Sequence, residues 1–109
     1  MPYPILLDLH GRRVVVVGGG NVAARKVSDL LAAGAQVTVI SPTLNETLAP
    51  LHDQFDWHES AYTPGMLAVF HPLLVFAATD SPQANQQVAA EAQALHMLCS
   101  KGHRDGRQG

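Results

Sequence analysis

The stretch Arg12-Arg13-Val14-Val15-Val16-Val17-Gly18-Gly19-Gly20-Asn21-Val22-Ala23-Ala24-Arg25-Lys26 decides how this chain folds. Its valine run is β-branched throughout and apolar without alternation. That is the pattern of a strand buried on both faces, as in a parallel sheet. Three glycines then break the strand. From Asn21 to Ala33 the apolar residues Val22, Ala23, Val27, Leu30 and Leu31 recur at helical spacing, with Arg25, Lys26 and Asp29 on the opposite face. Gly34 stands where a left-handed residue would end that helix. Gly18 to Ala23 also satisfies the pattern G-x-G-x-x-G/A, and it does so between a buried strand and an amphipathic helix. In that setting Gly18 permits the tight turn, Gly20 lets the backbone approach a pyrophosphate, and Ala23 lets the helix pack closely on the strand. The helix start offers free N–H groups and a positive dipole end to phosphates. The pattern therefore points to dinucleotide binding at Gly18, Gly19, Gly20, Asn21 and Val22.

Working outward, Gln36 to Ile40 reads as a second strand, stopped by Ser41-Pro42. Asn45 to Asp53 is expected to form a short helix, against the opposition of Pro50. Phe55 to Ser60 is a weak, partly exposed third strand. Pro64 to Phe70 reads as a brief helix with Pro64 in its first turn. Leu73 to Ala78 is another buried strand, and Asp80 or Ser81 caps a long helix from Pro82 to about His96. Met97 to Cys99 is the fifth strand, with Cys99 expected as a small core residue. The alternation of strands and helices predicts an α/β, Rossmann-like doubly wound parallel sheet of five strands in the order 3-2-1-4-5, with right-handed crossovers. Residues 1–100 form one dinucleotide-binding domain. Residues 101–109 hold three glycines, three basic residues and no apolar residue, and read as a disordered polar tail.

Composition narrows the classes of function. The chain has 109 residues, 47% apolar, 15% charged and 6% aromatic, with a net charge of −2. That suits one compact domain. A slightly acidic chain is a poor match for nucleic acid or an anionic membrane surface. The apolar runs Val14–Val17, Met66–Phe70 and Leu73–Ala78 fall far short of the roughly 20 residues that span a bilayer. Met1 to Pro4 lack the marks of a signal peptide, and a single cysteine excludes an internal disulfide. The expected compartment is the cytoplasm.

Two further segments belong to the expected site. Dinucleotide folds that use NAD usually carry an acidic residue at the end of the second strand. Here that place holds Ser41-Pro42-Thr43, with neither a carboxylate nor an arginine. The Ser41 and Thr43 hydroxyls and the local backbone can serve a ribose, and the residues themselves do not choose between NAD and NADP. After the fourth strand, Ala77-Ala78-Thr79-Asp80 offers small residues where the fold binds its ligands, so Ala78 and Thr79 are expected to line the cofactor. Asp80 reads equally well as a helix cap. The six histidines are scattered, and no pair has the close spacing of a metal motif. Arg25 and Lys26 could steer anionic ligands or simply form a solvated face. Trp57 could line a pocket or cover the sheet edge.

The segment from Pro4 to Lys26 resembles the start of the siroheme synthase family, in its precorrin-2 dehydrogenase/sirohydrochlorin ferrochelatase module. The telling part is Val17 to Lys26. Further matches are Gly34-Ala35 with Val37-Thr38-Val39, Ser41-Pro42, Ala77 to Asp80, Asn85 and Cys99, spanning about residues 4 to 99 in order. The resemblance implies NAD-dependent oxidation of precorrin-2, a tetrapyrrole, to sirohydrochlorin, and in many members iron insertion by the same module. It implies that Gly18, Gly20, Asn21 and Val22 hold NAD, with Pro42 and Thr43 against the adenosine end. Family members usually dimerise through a region not found here, so the resemblance leaves a homodimer as an open possibility and does not carry the oligomeric state over.

The pattern departs after Cys99. The family continues through an asparagine and two apolar residues to an aspartate, its catalytic carboxylate, and His103 stands in that place. A histidine titrates near neutrality, but this one lies in a polar tail with nothing to position it. No catalytic residue is assigned. The end of the chain looks foreign to the family, as a truncation, a frameshift or a degenerate copy would. The expectation is a chain that binds NAD weakly with little or no dehydrogenase activity. The alternatives are a non-catalytic dinucleotide-binding or regulatory module, and a remnant that binds nothing and associates through an exposed sheet edge.

Overall fold

A computed structural model describes residues 3–101. The elements are β1 (Arg13–Val17), α1 (Asn21–Ala32), β2 (Gln36–Ser41), a 3-10 turn (Ala49–Leu51), β3 (Asp56–Glu59), α2 (Met66–Phe70), β4 (Leu74–Ala77), α3 (Pro82–Ala94) and β5 (Leu98–Lys101). They build one five-stranded sheet in the order β3-β2-β1-β4-β5, parallel throughout. This is the Rossmann-like arrangement expected. Lys101, expected to be the first residue of the disordered tail, instead ends β5 in register with Ala77, because the parallel ladder with β4 runs on to the end of that strand. His103 and the rest of the expected tail lie outside the described residues.

The valine run explains the layers. Val14 and Val16 pack with Ala23, Val27 and Leu30 of α1 on one face, and Val15 and Val17 pack with Leu67 of α2 and Val88 and Ala92 of α3 on the other. All four valines are buried, so the strand has no polar side to show. Each such side chain contributes about 1.5–3 kcal/mol of burial. The α1 helix ends as expected at Gly34, whose φ of +80° is left-handed.

Four further expectations need correction. Asn45 to Asp53 forms no α-helix, only the 3-10 turn, with Pro50 in its first positions. The α2 helix starts at Met66 behind a left-handed Gly65, so Pro64 lies outside it. The long helix stops at Ala94 instead of His96, which takes a left-handed φ of 58°. Cys99 is exposed and not a core residue, because β5 is the outermost strand and begins one residue later than expected. The outer strand β3 is exposed at all four positions, and its Asp56 and Glu59 discourage further pairing at that edge. No described helix is long and apolar enough to cross a membrane.

Candidate functional site

The strand order reverses at β1. The chain leaves it toward β2 and β3 and returns to β4 and β5 on its other side, so the carboxyl ends of β1, β2 and β4 open onto one crevice. A cavity of about 490 Å³ lies there. Eight of the expected cofactor residues line it: Gly18, Gly19, Gly20, Ser41, Pro42, Thr43, Ala78 and Thr79. Asn21 and Val22 fall just outside the lining. Asn21 accepts a hydrogen bond from Asn45 Nδ2 at 3.0 Å, tying α1 to the loop after β2. Val22 packs half-buried against the core.

The three glycines do three different things. Gly18 has a φ of +134°, and a Cβ there would sit 2.3 Å from the Ala78 carbonyl oxygen. Its N–H donates to Ile40 O at 2.9 Å, which locks the turn against the end of β2. Gly19 is tighter still: a Cβ would come within 2.0 Å of Thr43 O and 2.9 Å of Ser41 Oγ. The fingerprint leaves this middle position open, so sequence reasoning assigned it no separate task. Gly20 has nothing within 4 Å of where its Cβ would be. Two glycines close the backbone onto itself, and the third leaves room above the start of α1.

That start is bare. Gly20 is the N-cap, in extended conformation, with no side-chain cap and no acidic residue in the first turn. The first helical bond runs from Ala24 N to Gly20 O at 2.9 Å. The amides before it are left to a ligand or to water. An open cradle over Gly20 and an uncapped helix end both fit the pyrophosphate of a dinucleotide. Ser41 Oγ adds an observation of the same kind. It is buried against Gly19 and, among the described residues, has no hydrogen-bond partner.

The far wall is self-satisfied. Thr79 N–H donates to Asn85 Oδ1 at 3.0 Å, Asn85 Nδ2 donates back to Thr79 O at 3.1 Å, and the Thr79 hydroxyl lies 2.7 Å from Asn85 Oδ1. Ser81, not Asp80, caps α3, its Oγ accepting from Ala84 N at 3.1 Å. Asp80 stays exposed at the rim of the cavity.

Three residues were missed by sequence reasoning. Tyr62 and Ala61, from the loop between β3 and α2, form the roof. The Tyr62 hydroxyl donates to Glu91 Oε1 of α3, and Gly65 N–H donates to Glu91 Oε2 at 3.0 Å. Burial, then the Glu91 hydrogen bond and charge, push the Tyr62 phenol well above its ordinary range, so it stays protonated. Glu59 is the third. The parallel register sets it beside Ser41, and it shares a groove with Pro42, Thr43 and Trp57 next to the cavity. A carboxylate therefore stands next to Ser41, Pro42 and Thr43, supplied by β3 instead of β2. The only advance signal was its register position, which a weak strand pattern does not fix.

The remaining candidates fall elsewhere. Trp57 Nε1 donates to Ser41 O at 3.0 Å, fastening the sheet edge while its ring lines the groove. Lys26 lies over the Phe76 ring, 5.4 Å from its centre, and exposed Arg25 borders an outer groove; neither lines the cavity.

Comparison with known proteins agrees with this geometry. The family model NAD_binding_7, described as "Putative NAD(P)-binding", matches residues 5–104. The siroheme synthase of Nitrosospira multiformis is 45% identical over 98 residues, covering 86% of this chain and 21% of that protein. Siroheme synthase 1 of Pectobacterium atrosepticum is 44% identical over 98 residues, covering 87% of this chain and 20% of that protein. The chain thus spans about a fifth of the length of these curated relatives. Among solved structures, SirC, a precorrin-2 dehydrogenase, superposes with a TM-score of 0.76 at 28% identity, over 91% of this chain and 48% of SirC. The sequence similarity places the chain beside the siroheme synthases, and the match over residues 5–104 shows that it belongs to the NAD(P)-binding family.

Proposed function

We propose that this chain is the NAD-binding part of a precorrin-2 dehydrogenase of siroheme biosynthesis. The observation that carries the reading is the uncapped start of α1 beneath the open space at Gly20, at the carboxyl edge of the sheet. Gly18, Gly19 and Gly20 would hold the pyrophosphate through main-chain amides, with the first amides of α1 from Asn21 and Val22. Ser41, Pro42 and Thr43 would flank the adenosine ribose, and Ala78 and Thr79 the far wall. When bound, the cofactor supplies a hydride acceptor for oxidation of the tetrapyrrole.

Glu59 favours NAD over NADP. A carboxylate beside Ser41 accepts hydrogen bonds from ribose hydroxyls and repels a 2′-phosphate. Among the described residues no lysine or arginine lines the cavity or the groove next to it, so none of them offers a cation to a 2′-phosphate.

The chemistry at the substrate end is weaker in this chain. The place of the family's catalytic aspartate holds His103. We infer that the isolated 109-residue chain binds NAD but turns precorrin-2 over slowly or not at all, and that insertion of iron, a substrate, is not retained. Anaerobic incubation of the purified chain with precorrin-2 and NAD, followed by NADH absorbance, tests this. No NADH above the protein-free control is expected. Catalytic turnover would contradict the inactivity, and failure of NAD to bind a folded chain would contradict the whole reading.

A further inference from the structure

A second cavity, of about 450 Å³, opens at the amino ends of the strands, at the opposite edge of the sheet from the glycine turn. Arg12 and Arg13 lead into β1, His71 and Pro72 precede β4, and His96 and Met97 precede β5, so the topology gathers four basic side chains around one opening. Among the described residues its lining contains no carboxylate. We propose that this cavity is a binding site for a multivalent oxyanion, a phosphoryl compound or a polycarboxylate, separate from the dinucleotide site.

The chemistry is that of guanidinium forks, which match the paired oxygens of carboxylate and phosphate. Arg13 spends one donor on a long hydrogen bond from Nη1 to Phe70 O at 3.4 Å, leaving the rest of its fork available. The competing explanation is that these basic side chains merely offset the negative ends of α2 and α3, which finish here. A helix end carries roughly half a charge, and the effect fades within a turn. The α2 helix is only five residues long. Two arginines exceed that demand before either histidine is counted.

The histidines argue the same way. His71 and His96 take left-handed backbone, with φ of 55° and 58°, at the ends of α2 and α3. Glycine occupies such positions without penalty. Imidazoles kept at both ends, facing one cavity with two arginines, supply donors that glycine cannot.

The test uses the full 109-residue chain, ¹⁵N-labelled, titrated separately with pyrophosphate and with citrate. Saturable shifts at the amides of residues 11–13, 71–73 and 95–97 are expected, and the tighter of the two anions identifies the class of ligand. Arg12→Gln should weaken binding at least fivefold. The double variant His71→Gly/His96→Gly should weaken it similarly while leaving the melting temperature unchanged or raised, since glycine relieves the left-handed backbone. No saturable shift at those amides with either anion at millimolar concentration would overturn the proposal. So would undiminished affinity in both variants. Pyrophosphate shifts confined to Gly19–Val22 would also overturn it, while leaving the dinucleotide site intact.

Discussion

Helices α1 and α3 both begin at the carboxyl edge of the sheet, on either side of one cavity, and they treat their first amides in opposite ways. The α3 helix closes its own end: Ser81 accepts from Ala84 N, Pro82 removes a donor, and the Thr79–Asn85 pair binds the turn beneath. The α1 helix has a glycine where a capping side chain would be, and no acid in its first turn. With glycine in place of a capping serine the helix forgoes roughly a few tenths of a kcal/mol. In the proposed site this difference makes α1 the end that receives an anion and α3 the wall.

The contrast can be broken at several points. The largest effect is expected at Gly19→Ala. The added methyl would meet the Thr43 carbonyl oxygen at 2.0 Å, so something in the backbone must move. We expect a loss of about 3 kcal/mol or more, read as a fall in the urea midpoint, or failure to accumulate folded protein. Gly20→Val separates ligand from fold. Its Cβ enters open space, so stability should fall by no more than about 1 kcal/mol, while calorimetric affinity for NAD drops at least tenfold.

Ser81→Ala makes the reverse distinction. It should cost about 1 kcal/mol in denaturant unfolding and leave NAD affinity unchanged, because it uncaps only the wall. Glu59→Gln should narrow the preference for NAD over NADP by a few-fold in parallel titrations, without altering the fold of an exposed edge strand. The smallest effect belongs to Tyr62. Its phenol is held protonated in the folded state, so the unfolded chain releases that proton first as pH rises past about 10, and stability declines above that point. A Tyr62→Phe chain should show a flatter alkaline limb in melting temperature against pH.

What the sequence revealed depended on how local the cause was. The four valines and the three glycines carry their reasons within a dozen residues, and the central strand, its turn and α1 were legible from them. Ser41, Pro42, Thr43, Ala78 and Thr79 were legible as cavity lining because this fold class opens a crevice at its strand ends. The separate duties of the glycines were not, since the partner that crowds Gly19 is a carbonyl 24 positions away, at Thr43. Tyr62 and Glu59 sit in segments with little hydrophobic patterning, and only the long-range contact with Glu91 and the register with Ser41 give them their place. Asn45 to Asp53 failed as a helix for a local reason, Pro50, that pattern counting underweighted. Cys99 was misplaced because an outer strand of four residues cannot bury what its apolar letters suggest.

The central claim is that a dinucleotide binds at the start of α1 and not at that of α3. Amide shift mapping of the ¹⁵N-labelled chain during NAD titration tests it most directly. Saturable shifts are expected to concentrate at Gly19, Gly20, Asn21 and Val22, with Ala84 and Asn85 little moved. Shifts centred on the start of α3, or none anywhere in a folded chain, would contradict it.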